Sequence, residues 1–251
     1  APILFFIIVA VLIGGIGNLY GIEVIARYSF MGVLSIIIFH LILLMGSIPF
    51  FDIRELMPVM QSGFLNTLWA SRHNDTDWAM ATTMVAVLLP SVKASRLWGK
   101  SGMSGILMGG LFVVMWPILE GGVLSPEVTA QYTVSCMQMA RSAQIGDFIH
   151  RYEMFMVAFF AVVSFVQIML CFLCASEAVS HLFSKPQSKG MIIPTALMLG
   201  ASGYAIVFDK PLAMKMLEIY WPPIALSIAI GVPIILLLLG TVMRKRLSEF
   251  R

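Results

Sequence analysis

Pro90 stands in the apolar run "DWAMATTMVAVLLPSVKASRLW", with Thr82 and Thr83 before it and Ser91 just after it. A proline inside a helix removes one hydrogen bond and presses on the carbonyl four residues back, here at Ala86, so the helix bends or opens there. Backbone groups freed in an apolar setting can hold a polar ligand or ion, and neighbouring hydroxyls can orient it. The same proline also fits a plain kink repaired by neighbouring helices. Ser164 and Gln167, three apart in "AVVSFVQIMLCF", share a helix face with Phe160 and Cys171. They either line a cavity or join helices, at about 0.6 kcal/mol for each hydrogen bond. His40 lies within "SIIIFHLILLMG", where a charge costs about 2.5–3.5 kcal/mol. It is expected to be neutral and hydrogen-bonded, as a core histidine bonded to a facing helix or as a proton-sensing or ligand group.

Charged residues crowd one stretch, "ARSAQIGDFIHRYEMFMVAFF" at 140–160. Asp147 and Arg151 have the i,i+4 spacing of a helical ion pair, and Glu153 follows closely. Acids in the first turns of a helix complement its positive end, so the stretch reads as an anchor fixing a long helix, or else as a gate. Lys93, one turn past Pro90, can snorkel inward on its aliphatic stem, with a counter-charge role as the lesser alternative. The sequence contains no HExxH, no GxSxG and no paired acids within its apolar runs, which argues against an enzyme. Cys136, Cys171 and Cys174 have no His or Asp close by to complete a metal site, and packing is their expected role. Neither a metal nor a cofactor is expected.

The elements that must position these residues are apolar. The chain is 59% hydrophobic and only 12% charged, which places it among membrane proteins. Seven apolar runs, near 2–20, 30–51, 77–97, 102–124, 146–178, 190–208 and 217–243, suit a bilayer core of about 30 Å. Their continuity demands helices, since a barrel would alternate in shorter segments. Threading these runs puts ten of the 16 basic residues on one side and six on the other. The basic-rich side is cytoplasmic by the positive-inside rule, so the C-terminus "RKRLSEFR" is inside and residue 1 outside. Basic residues dispersed at span ends form no nucleic-acid face, and no nucleic-acid partner is expected. Between the second and third runs, Leu56, Met60 and Phe64 fall at helical spacing with Trp69 nearby, predicting an amphipathic helix on the outer interface. Between the fourth and fifth, "SPEVTAQYTVSCMQMARSAQ" predicts a second, partly helical outer segment. No linker divides the chain, and residues 1–251 read as a single transmembrane domain. In span seven, Pro233 lacks polar neighbours and predicts a plain kink.

Three segments carry a family resemblance. "RSAQIGDFIHRYEMFMV" resembles the signature that opens the eighth helix of the B subunits of bacterial spore germinant receptors, the spore germination branch of the amino acid-polyamine-organocation (amino acid permease) superfamily. "GIEVIAR", with Glu23 and Arg27, resembles the cytoplasmic turn after that family's fourth helix, and "IRELMPVMQSG" resembles the segment after its fifth. Order and spacing agree over nearly the whole chain.

The resemblance implies an all-α fold of ten helices in two inverted repeats, with the seven visible spans as helices four to ten. Helices one to three would then precede residue 1, in keeping with the odd span number and the outward start. Span three becomes the sixth helix, broken at Pro90 to form half of a ligand site. The implied pocket lies between span three at Thr83, Val87, Leu88, Pro90 and Ser91 and span five at Phe160, Ser164 and Gln167. His40, Asp147, Arg151, Glu153, Glu23 and Arg27 are the implied structural or gating residues. The implied protein sits in the spore inner membrane and senses a small germinant, often an amino acid, with A and C subunits. A secondary active amino acid transporter is the alternative, because the same fold moves solutes.

Overall fold

In the computed structural model, which describes residues 3–88, 95–145, 149–150, 152–183 and 189–242, the first two apolar runs fold as α1 (Ile3–Tyr20) and α2 (Ile22–Ser47). Gly21 joins them at φ 82°, open to glycine without strain, and its N–H donates to the carbonyls of Gly17 and Asn18. A turn at Ile48–Phe50 containing Pro49 closes α2. Asp52 then caps the next turn, Ile53–Leu56, its carboxylate accepting from the Arg54 N–H at 2.8 Å.

α3 (Phe64–Leu88) and α4 (Ser95–Leu124) follow, the latter carrying Pro117 inside. The short α5 (Pro126–Thr129) and α6 (Ser135–Ser142) form the segment before the charged stretch, in line with its expected partial helicity. β1 (Gln144–Ile145) and β2 (Ile149–His150) pair antiparallel, with Ile145 opposite Ile149. α7 (Glu153–Leu182), α8 (Ile192–Phe208), α9 (Lys210–Lys215), a π turn at Met216–Tyr220 and α10 (Trp221–Val242) complete the described residues.

Among the described residues, six helical stretches are long and apolar enough to cross a membrane: Ile3–Tyr20, Ile22–Phe50, Leu97–Leu124, Glu153–Leu182, Lys189–Phe208 and Pro211–Val242. The run expected at 77–97 corresponds to a shorter apolar stretch, Trp78–Leu88, and to residues outside the described set. Side chains such as Leu236, Leu237 and Leu238 lie open along α10. An outward apolar belt of this extent suits lipid, which offers apolar groups the environment that a core offers in water.

α7 is the central helix. It packs along α1 and α2 and also touches α8, α3 and α6, while α8 lies against α1. Gly14 makes the α1–α7 approach achievable, since a Cβ there would fall 2.6 Å from the Phe172 ring. α3 packs mainly on α10. One core cluster, Phe39, Leu43, Leu119, Met139, Ala140, Ala143, Tyr152 and Met156, joins α2, α4, α6 and the start of α7. A second, Ile25, Val166, Met169 and Leu173, joins α2 to the middle of α7, with Leu88 of α3 packed against it.

Two expectations need correction. Leu56, Met60 and Phe64 do not share one helix: Leu56 ends a 3-10 turn, Met60 has φ 59°, Gly63 has φ 87°, and Phe64 opens α3. Pro58, lacking an N–H, and two left-handed residues break the helical register that the spacing suggested. Residues 149–150 are extended and α7 opens only at Glu153, later than the apolar run near 146–178 suggested, while Asp147 and Arg151 lie outside the described residues.

Candidate functional site

The place where α3 meets α7 is built from few contacts. Leu88 packs into the cluster of Ile25, Val166, Met169 and Leu173. The Cys174 thiol, half-buried, lies 4.0 Å from the Met84 carbonyl, to which it donates a weak bond. Packing is thus what Cys174 supplies. Thr83 spends its hydroxyl on its own helix, donating to the Ala79 carbonyl at 3.0 Å. Val87 is 39% exposed. Pro90 and Ser91 lie outside the described residues.

On α7, Phe160 turns inward and Ser164 and Gln167 turn outward. The Phe160 ring meets Phe39 edge-on at 5.8 Å and Trp116 at 5.9 Å, packed against the first core cluster. Ser164 and Gln167 are exposed in the middle of the span. An amide and a hydroxyl at that depth are poorly placed against hydrocarbon and well placed against a polar ligand or another helix. The structure therefore joins Leu88 to α7 and Phe160 to the aromatic core, and leaves the two polar residues exposed.

His40 is buried, but its partner is not on a facing helix. Its Nδ1–H donates to the Ile36 carbonyl one turn back on α2, at 2.7 Å. The ring stands 4.8 Å from Phe112 and 5.0 Å from Trp116, both on α4, and Nε2 has no polar partner within this apolar box. A donor on Nδ1 and an empty Nε2 specify one neutral tautomer.

At the start of α7, Glu153 is buried, and one carboxylate oxygen lies 3.9 Å from Nε of Arg141, whose side chain is exposed. The Tyr152 N–H donates to the Ala140 carbonyl at 2.9 Å, so α6 and the head of α7 are tied by backbone and ion pair together. Asp147 and Arg151 lie outside the described residues. Glu23 and Arg27 are exposed on the first turns of α2, and no ion pair joins them. Nearby, Glu120 accepts from the Ser135 hydroxyl at 2.6 Å. Cys136 packs beside it, its thiol pushed upward in pKa by burial and then by the Glu120 charge.

Sequence reasoning missed a buried polar contact at the other end of α7. The Asn18 amide of α1 donates to the Ser176 hydroxyl of α7. The only signal available was a lone amide in "GGIGNLY" and a serine three helical turns past Ser164, on a helix whose partner could not be named in advance. The described residues also form an open groove of about 700 Å3 on α4, lined by Lys100, Met103, Ser104, Leu107 and Leu111. None of the described residues expected to form the pocket borders it.

The family model described as spore germination protein matches residues 1–205. The chain belongs to the spore germination permease family. The match runs from α1 into α8 and so contains every residue of the α3–α7 seam and all three signature segments. Neither a curated protein nor a solved structure matches the chain. Membership and the long apolar helices together make this a membrane protein of a receptor- and transporter-like family.

Proposed function

We propose that the chain is the germinant-sensing membrane subunit of a spore germination receptor, acting with A and C subunits in the spore inner membrane with its C-terminus cytoplasmic. Family membership over residues 1–205 is the observation that carries this reading. In it, α1, α2, α3, α4, α7, α8 and α10 correspond to helices four to ten of a ten-helix inverted-repeat bundle. The germinant is a small nutrient, an amino acid by first choice, held between α3 and α7. Thr83, Val87, Leu88, Pro90 and Ser91 form one wall and Phe160, Ser164 and Gln167 the other. Backbone groups freed at Pro90 would meet the ligand's charged ends, and the apolar side chains would select among side chains.

The packing supports a signalling step of low cost. α1, α2 and α8 lie along α7, whereas α3 leans on α10 and meets α7 chiefly through Leu88 and the Cys174–Met84 contact. A ligand that binds one arrangement of α3 against α7 more tightly shifts the population towards it. Secondary transport by the same bundle is the competing reading. A time course of labelled amino acids in proteoliposomes carrying the full-length protein, with and without a proton or sodium gradient, separates the two. Uptake that saturates near one ligand per protein and ignores the gradient supports a sensor. Uptake that keeps accumulating with the gradient replaces it by a transporter.

A further inference from the structure

The segment between α2 and α3 has a surface that the sensing function does not use. Phe64, Leu65, Leu68 and Trp69 stand on the first turns of α3, outside the apolar stretch Trp78–Leu88, and are 63%, 76%, 57% and 70% exposed. Ile53, Met57, Val59 and Met60 extend the exposed apolar surface back towards α2. On the opposite face the polar groups are satisfied locally, with Asn66 donating to the Ser62 carbonyl at 2.8 Å and Thr67 to the Gly63 carbonyl at 3.0 Å.

Arg72 completes the apolar face at helical spacing from Leu68 and Trp69. Its guanidinium lies 4.7 Å over the Trp69 ring, and Nη1 donates to the Trp69 carbonyl at 3.1 Å. Asp75 is engaged by the Ser71 hydroxyl at 2.8 Å, and no ion pair ties it to Arg72. The result is an apolar helix face with a stacked arginine at its edge whose remaining donors are uncommitted.

We propose that Ile53–Arg72 is a lipid-anchoring surface. Its apolar face is seated among the acyl chains of the leaflet where α2 ends, and Arg72 holds a lipid phosphate. Two observations favour lipid over a protein partner. The surface follows on the exposed apolar end of α2 at Ile48 and Phe50, so the bilayer is already its neighbour on that side, while the polar stretch 71–77 separates it from Trp78–Leu88. A stacked tryptophan and arginine beside aliphatic side chains also match the chemistry of the headgroup boundary, apolar below and anionic above. The inference goes beyond germinant sensing and stands whether the bundle senses or transports.

The test uses the full-length protein with Cys136, Cys171 and Cys174 replaced by alanine and Leu65→Cys carrying an environment-sensitive fluorophore, in proteoliposomes. Lipids brominated in their acyl chains are expected to quench the label strongly, while aqueous iodide leaves it nearly unchanged. Strong iodide quenching would place the surface in water and overturn the proposal. Protection from both quenchers would mean that protein covers it, which also overturns the proposal. With bromine confined to phosphatidylglycerol in a phosphatidylcholine background, Arg72 is expected to enrich the anionic lipid at the label by about fivefold. Arg72→Gln should abolish that enrichment and keep the acyl-chain quenching, and an unchanged enrichment would remove the phosphate role from Arg72.

Discussion

The carboxamide of Asn18 donates to the Ser176 hydroxyl at 2.6 Å and, at 3.4 Å, to the Phe172 carbonyl, joining α1 to α7. Ser176 in turn donates to the Leu173 carbonyl at 3.0 Å. Both side chains are buried, so each polar group depends on the other to remain satisfied. The contact stands beside Gly14 and Gly17, whose missing side chains leave room for Phe172 and Met169 of α7.

Asn18→Ala and Ser176→Ala are each expected to lower the stability of the detergent-purified protein by about 1 kcal/mol. Because the two residues share one interaction, the double variant should lose little more than the worse single variant. Thermal unfolding of the four proteins checks this, and fully additive losses would show that the residues act separately.

His40→Phe is expected to be tolerated, within about 1 kcal/mol of the parent. The aromatic box of Phe39, Phe112 and Trp116 accepts a ring, and the substitution removes a buried nitrogen that has no partner. His40→Asp should instead destabilise severely, because a carboxylate there would have to lie uncompensated among rings. The yield of folded protein and its melting temperature test the pair. A large loss on His40→Phe would mean that the imidazole nitrogen has a polar task in the membrane.

Six of the seven expected spans were legible because each is a long apolar run, and a bilayer imposes no subtler requirement. The start of α7 was not, because the apolar run near 146–178 suggested helix from its outset, while Ile149 and His150 are extended and the helix opens only at Glu153. His40 was read correctly as buried and hydrogen-bonded, yet its acceptor on Ile36 belongs to its own helix, which a search for facing partners overlooks. For the candidate site, one residue from each helix could be followed to its neighbours. Leu88 reaches α7 and Phe160 reaches α2 and α4, because large apolar groups find a core. Ser164 and Gln167 carried no such instruction, since a small polar group mid-span can face a helix, a ligand or a cavity equally well.

Cys136 should react slowly with alkylating reagents at neutral pH, because burial and Glu120 both raise its thiol pKa and the thiolate is the nucleophile. The sign for stability follows. A thiol whose folded pKa lies above its ordinary value adds stability below that value, and the contribution is lost as pH rises through the folded pKa. Stability is thus expected to be insensitive to this group at neutral pH and to fall on the alkaline side of 9.0, its ordinary value. Mass-spectrometric labelling rates against pH, read at Cys136, should rise later than those of a free thiol. Equal profiles would show that the site is open to water.

Ser164→Leu and Gln167→Leu are expected to weaken the response to germinant by about tenfold or more while leaving membrane insertion intact, since each removes a polar group from the proposed pocket wall and adds apolar bulk. Their exposure makes the test decisive. If the face meets lipid, leucine is at least as suitable as the native residue, and neither response nor stability should fall. If it meets another helix through hydrogen bonds, stability should fall first and the response only in proportion. A reduced ligand response at normal protein level and normal melting temperature is the outcome that belongs to a binding face. Measuring response and melting temperature on the same preparations separates the three.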